Sequence, residues 1–145
     1  MSSRREARRA AIDVLYQADI TGQDPLEVLD GWTDAERDVP AFGRSLVEGT
    51  TEHLPDIDLL LEEHADSWTV ARMAAVDRTI LRIAVEELLF RSDVPDAVAI
   101  NEAVEAANEL STEASGRFVN GILGRIVREA RDLPAAPDAD ADRAG

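Results

Sequence analysis

The sequence predicts an all-α fold, a compact bundle of about seven helices. Three features of the chain lead to this. Apolar residues recur at three- and four-residue intervals along most of its length, the spacing of one helix face. No segment shows a convincing alternation of period two, so strands are not expected. Helix start and stop signals divide the pattern into pieces joined by short connections.

Ser3 and Glu6 form an S-x-x-E capping-box pattern, so a first helix is expected from Arg4 to about Ile20, ended by Thr21-Gly22. Pro25 suits the first turn of a short helix through Leu26, Val28, Leu29 and Trp32. A third is expected from about Val39 to His53. Pro55 opens a fourth, with Ile57, Leu60 and Leu61 as its apolar stripe. The longest strongly patterned segment runs from about Val70 to Phe90. Pro95 begins a helix through Ile100, Ala103, Val104 and Ala107, and Ser111 or Thr112 can cap a last one reaching about Arg131. Residues 1–132 read as a single domain. The tail 133–145, rich in Pro, Ala and Asp, has little to bury and reads as a disordered acidic extension.

The 145 residues carry a formal charge of −15, from 15 basic and 30 acidic side chains, and every basic residue is arginine. As a sum this disfavours nucleic acid, because phosphates attract clusters of cations. The distribution is uneven, however. Residues 1–12 hold Arg4, Arg5, Arg8 and Arg9 against Glu6 alone. Screening acts over ~8 Å in physiological salt, so a local basic cluster can work on an acidic body. The hydrophobic class makes up 45% of the chain, enough for a core at this length. No run approaches the roughly 20 apolar residues that span a bilayer. The N-terminus lacks a signal peptide's plan, and a cytoplasmic location is expected.

On the first helix Ala7, Ala11, Val14, Leu15 and Ala18 share one face. Arg4, Arg5, Arg8 and Arg9 fall on the adjoining face, and Tyr16 continues their line two turns on. Arginine forks bind phosphate bidentately, and unstacked RNA bases meet aromatic rings, so this combination suits RNA. The alternative is a solubilising N-terminal turn, with Tyr16 at the edge of the core.

In the long helix Met73, Val76, Ile80, Ile83, Ala84 and Leu88 form an apolar arc into which Asp77 and Glu87 project. Each must be paired, capped or placed at the end of the contact, since an unpaired buried carboxylate is costly. Asp77, near the helix start, either accepts hydrogen bonds from a ligand or pairs with an arginine of another helix. In the last helix Val119, Ile122, Leu123, Ile126 and Ala130 form the core stripe, and Phe118 at its margin either packs or stacks. Gly121 and Gly124 lie on the opposite side, each at ~1 kcal/mol relative to alanine, a cost usually offset by close approach of another backbone from the fold or a ligand.

His53 and His64 have no metal-ligand companions and read as surface or helix-end residues. There is no cysteine, phosphate-binding loop or nucleophile elbow. No catalytic residue, metal site or cofactor is expected.

Four segments, in order, resemble one family. RREARRAAIDVLYQAD (4–19) resembles the arginine-rich opening helix of NusB proteins, and VDRTILRIAVEEL (76–88) their central helix. SDVPDAVAINEAVE (92–105) and FVNGILG (118–124) are similar to the family's two most recognisable motifs. The resemblance implies two helical subdomains and a non-enzymatic transcription antitermination factor. Such factors bind boxA-type single-stranded RNA of nascent ribosomal transcripts together with the ribosomal protein NusE, in the elongation complex. By position it implies RNA-binding roles for Arg4, Arg5, Arg8, Arg9, Tyr16, Asp77, Phe118 and Asn120. One departure is Ala114 before Ser115, where many relatives carry an acid, so a base contact from that position is unavailable here. The acidic body suits docking of a basic ribosomal protein, and a homodimer stays open. The competing readings are a helical protein-interaction adaptor and a detached NusB-like RNA-binding domain related to those of RNA cytosine methyltransferases.

Overall fold

The computed structural model describes residues 3–66 and 68–132. The acidic extension expected at 133–145 lies outside the described residues. Among those described there are seven α-helices and no strand: α1 (Arg4–Thr21), α2 (Pro25–Asp34), α3 (Ala41–Glu52), α4 (Leu54–His64), α5 (Ala75–Phe90), α6 (Asp96–Leu110) and α7 (Glu113–Asp132). No helix of the described residues is long and apolar enough to cross a membrane.

Local chemistry sets most of the ends. Ser3 Oγ accepts from Glu6 N–H at 3.1 Å while Glu6 Oε1 accepts from Ser3 N–H at 2.8 Å, closing the capping box of α1. Gly22, at φ 76°, turns the chain out of α1 in the left-handed conformation that glycine adopts without a Cβ penalty. Asp24 Oδ1 accepts from Leu26 N–H, and Pro25 opens α2 where its missing donor costs nothing. Thr112 Oγ1 caps α7 by accepting from Ser115 N–H at 3.0 Å. Helix α3 begins after Pro40, two residues later than expected, because the residue before a proline is driven from the helical region.

The expected helix from Val70 to Phe90 is interrupted. Residues Val70–Arg72 form one turn of 3-10 helix, and Met73 and Ala74 are extended before α5 starts. Three bonds between side chains and the backbone account for the break. Glu62 Oε2 accepts from Val70 N–H at 2.9 Å, and the Arg78 guanidinium donates to the carbonyls of Met73 (3.1 Å) and Ala71 (3.4 Å). The break puts Asp77 in the first turn of α5, where the helix dipole favours an anion.

Helices α1–α3 pack on one another, α4–α7 do the same, and α1 and α3 join the two groups by packing on α5. Helix α1 runs antiparallel to α5: Arg8 near its start meets Glu87, and Asp19 near its end accepts from Arg78 at 2.7 Å. The core is continuous across the join, with Val14, Leu46, Ile57, Leu81, Val85 and Leu123 fully buried. Gly43 lets α3 approach α1, since a Cβ there would lie 2.5 Å from the Ala7 carbonyl oxygen.

The structure corrects the histidine reading in part. His53 is at a helix end, with its Nδ1 2.8 Å from the buried Glu86 carboxylate. His64 ends α4 but is buried, its Nδ1 2.9 Å from the Leu60 carbonyl oxygen.

Candidate nucleic-acid interface

The four arginines of α1 occupy two environments. Arg8 turns inward to 7% exposure and sets its guanidinium against Glu87, with Nε–Oε2 at 2.9 Å and Nη2–Oε1 at 2.7 Å. Burial opposes the Arg8 charge, but the hydrogen bonds and negative charge of Glu87 outweigh it and raise its pKa further. Arg8 therefore departs from the open strip expected of it. It sits one residue from Ala7, on the margin of the apolar face, and answers the demand of the buried Glu87 for a partner.

Arg4, Arg5 and Arg9 stay outside and are each met by carboxylates. Arg4 bonds Asp93 at 2.9 Å and lies 4.2 Å from the Phe42 ring centroid. Arg5 forks onto Glu102 at 3.1 and 2.8 Å and reaches Glu105 at 2.6 Å. Arg9 bonds Glu109 at 2.5 Å. The hydrogen bond from Arg5 holds the Glu102 carboxyl below the usual range, as Arg4 does for Asp93. Tyr16 is exposed on the same helix. Ile12, one turn before it, lines the groove against Ile80 and Ile83, so the antiparallel course of α1 carries Tyr16 towards the start of α5.

Asp77 lies at that end, ten residues and therefore roughly 15 Å of helix axis from Glu87. Among the described residues no arginine pairs with it. Its Oδ2 accepts from Ser115 Oγ at 3.1 Å, and its buried Oδ1 has no partner. Ser115 comes from the first turn of α7, where its N–H is already held by Thr112. Asp77 and Ser115 line an open cleft of about 520 Å³ with Trp68, Arg72, Ala114 and Phe118. Phe118 both packs on the core and faces this cleft. Ala114 supplies a methyl wall beside Ser115.

Trp68 and Arg72 were not singled out from the sequence. Trp68 is 49% exposed, and the Arg72 guanidinium carbon lies 5.4 Å from its ring centroid. The signal available was a tryptophan outside any apolar stripe with an arginine four residues on. Asn120 is exposed two residues beyond Phe118, a separation of about 200° around the helix, so it faces away from the cleft. It shares its side with Arg117, Gly121 and Gly124. A Cβ on Gly121 would meet nothing within 4 Å, and one on Gly124 only the Arg128 side chain at 3.3 Å. Among the described residues no backbone explains either glycine.

The site thus has exposed arginines and a tyrosine along α1, leading to an aromatic, arginine-flanked cleft with an unpaired carboxylate oxygen. A family model described as the NusB family matches residues 5–128. The chain belongs to the NusB family. It is 53% identical over 130 residues to the transcription antitermination protein NusB of Saccharopolyspora erythraea, covering 87% of each chain. To the protein of that name from Salinispora arenicola it is 48% identical over 134 residues, covering 90% of this chain and 98% of the relative. Among solved structures it is similar to T. maritima NusB, with a TM-score of 0.80 and 39% identity over 88% of this chain and 92% of that one. It is also similar to a chain from the crystal structure of antitermination factors NusB and NusE in complex with dsRNA. That match has a TM-score of 0.77 and 28% identity, covering 86% of this chain and 96% of the other.

Proposed function

We propose that this chain is a cytoplasmic transcription antitermination factor that binds boxA-type single-stranded RNA together with the ribosomal protein NusE, within the elongation complex. One observation carries the reading beyond family membership. Arg4, Arg5 and Arg9 lie on the outer side of the helix whose far end approaches the Asp77 cleft. Guanidinium groups supply phosphate contacts. Trp68 and Phe118 offer faces for unstacked bases, and the Asp77 carboxylate in the cleft wall is the acceptor for a base amino group once its buried Oδ1 is uncovered. Tyr16 stands between the two ends. Arg8 acts from beneath, fixing α1 against α5, and Asn120 extends the surface onto the outer side of α7.

The acidic body makes the chain a weak RNA binder alone and a suitable dock for a basic partner. The test is an anisotropy titration of a boxA-type oligonucleotide with and without NusE, at several salt concentrations. Three phosphate contacts predict a slope of log K against log salt no steeper than about −2. Charge reversal by Arg5→Glu with Arg9→Glu should abolish binding while helicity is retained. Unchanged affinity would overturn the assignment.

A further inference from the structure

Each exposed arginine of α1 is already occupied by a carboxylate of its own chain. Glu102, Glu105 and Glu109 follow an i, i+3, i+7 spacing, which places them on one face of α6. That face lies along the arginine side of α1. Arg5 takes Glu102 and Glu105, Arg9 takes Glu109, and Asp93 just before α6 takes Arg4.

We infer that this acidic face of α6 is an internal competitor for RNA phosphates, so that Glu102, Glu105 and Glu109 hold RNA without the right bases below useful affinity. The inference rests on the RNA-binding role proposed above for the arginines. A carboxylate and a phosphate offer the same thing to a guanidinium, two anionic oxygens spaced for its fork. An RNA backbone laid along α1 must exchange one anion for another, and the exchange alone gains little. An RNA that also places bases in the cleft of Trp68, Asp77 and Phe118 gains contacts that no carboxylate of α6 can mimic. The α6 acids therefore weaken binding of any phosphate chain, and the cleft restores it for the right bases.

The fold does not depend on these pairs. Exposed ion pairs contribute roughly 0–1 kcal/mol each to stability. Helix α6 is anchored on the adjoining face by buried Ala99, Ala103, Ala106 and Ala107. The same exchange predicts a distinct salt signature. Carboxylates released by RNA take up cations, which offsets part of the counterion release from the RNA and flattens the salt dependence.

The test uses the full chain and two fluorescent single-stranded RNAs of equal length, one boxA-type and one of uridine only. Glu105→Gln/Glu109→Gln should bind the uridine RNA about three- to tenfold more tightly than the original protein, as expected from freeing two exposed pairs. It should gain by a similar factor on the boxA-type RNA and show a steeper salt slope. Glu109→Gln alone, changed at one exposed site, should move both quantities in the same direction with an unaltered circular dichroism spectrum. If the glutamine variants bind both RNAs as the original does while Arg5→Ala/Arg9→Ala loses binding, the internal competition is overturned and the arginine assignment stands. A gain confined to the boxA-type RNA would overturn the competition for phosphates. If the arginine variant binds undiminished, both readings fall.

Discussion

Arg8 and Glu87 join α1 to α5 through a two-pronged ion pair, with Nη2 of the arginine 2.7 Å from Oε1 of the glutamate and both side chains more than nine-tenths buried. The contact fixes the antiparallel course of α1 along α5, and so the direction in which the outer arginines and Tyr16 run. Removing one partner leaves the other as an uncompensated charge in an apolar interface.

Arg8→Ala should therefore destabilise the protein by about 3–5 kcal/mol. Arg8→Met with Glu87→Leu, which removes both charges and refills the space, should recover most of that loss. Arg4→Ala, which breaks a pair exposed on both sides, should cost less than ~1 kcal/mol. Urea unfolding of the three variants provides the comparison; equal losses for Arg8→Ala and Arg4→Ala would contradict the buried pair.

The helices were legible because their ends are written locally. Ser3 with Glu6, Pro25 and Thr112 each act within four residues, and the apolar stripes between them have one period. The break before α5 was not legible, because the side chains of Glu62, eight residues upstream, and Arg78, within the helix that follows, make it together. The arginine cluster was visible by type and helical phase, whereas its partners were not. With 30 acidic residues in the chain, the spacing of Glu102, Glu105 and Glu109 carried no signal until α6 was placed beside α1. Asp77 was flagged correctly as needing a partner, but a hydroxyl from α7 supplies it, not a cation. Trp68 lies outside every helix, where periodicity has nothing to say.

Two glycines should respond in opposite ways to the same change. Gly43→Ala drives a methyl to 2.5 Å from the Ala7 carbonyl, so α1 and α3 must separate, and a loss of about 1–3 kcal/mol is expected for such overpacking. Gly121→Ala places its methyl in open space on an exposed turn of α7 and should gain about 0.5–1 kcal/mol from helix propensity. Thermal midpoints decide the stability half of the comparison. RNA titration of the stabilised Gly121→Ala protein adds a second reading: weaker binding without loss of stability would show that a ligand, not the fold, needs the missing side chain.

Trp68→Ala should weaken boxA-type RNA binding by about 1–3 kcal/mol, the range for loss of one stacked base. The residue is 49% exposed, so the unfolding free energy should change little. Phe118 is the less decisive probe because it also packs on the core. Affinity that survives Trp68→Ala unchanged would remove the cleft's stacking role.

Near neutrality the pH dependence of stability should carry a contribution from His53. Its hydrogen bond to Glu86, whose carboxylate is buried, outweighs its partial desolvation and raises its pKa above the ordinary histidine value, with Glu86, Glu52 and Asp56 adding negative charge around it. The ring also stacks on Phe90, centroids 3.7 Å apart and planes 14° from parallel. A raised folded-state pKa means that the folded protein binds the proton more tightly than the unfolded chain does. The stabilisation is complete below the unfolded value of about 6.5 and is lost as pH climbs through the folded value. Asp93, Asp96 and Glu102 have lowered values, so their contributions are present above the ordinary carboxylate range and fade only in acid. The two trends separate cleanly in pH. Between pH 6 and 8 the urea midpoint of the original protein should fall, and in His53→Gln, which keeps a hydrogen-bonding side chain but no proton to lose, it should stay level. A midpoint that falls equally in both proteins would assign the neutral-range titration to another group.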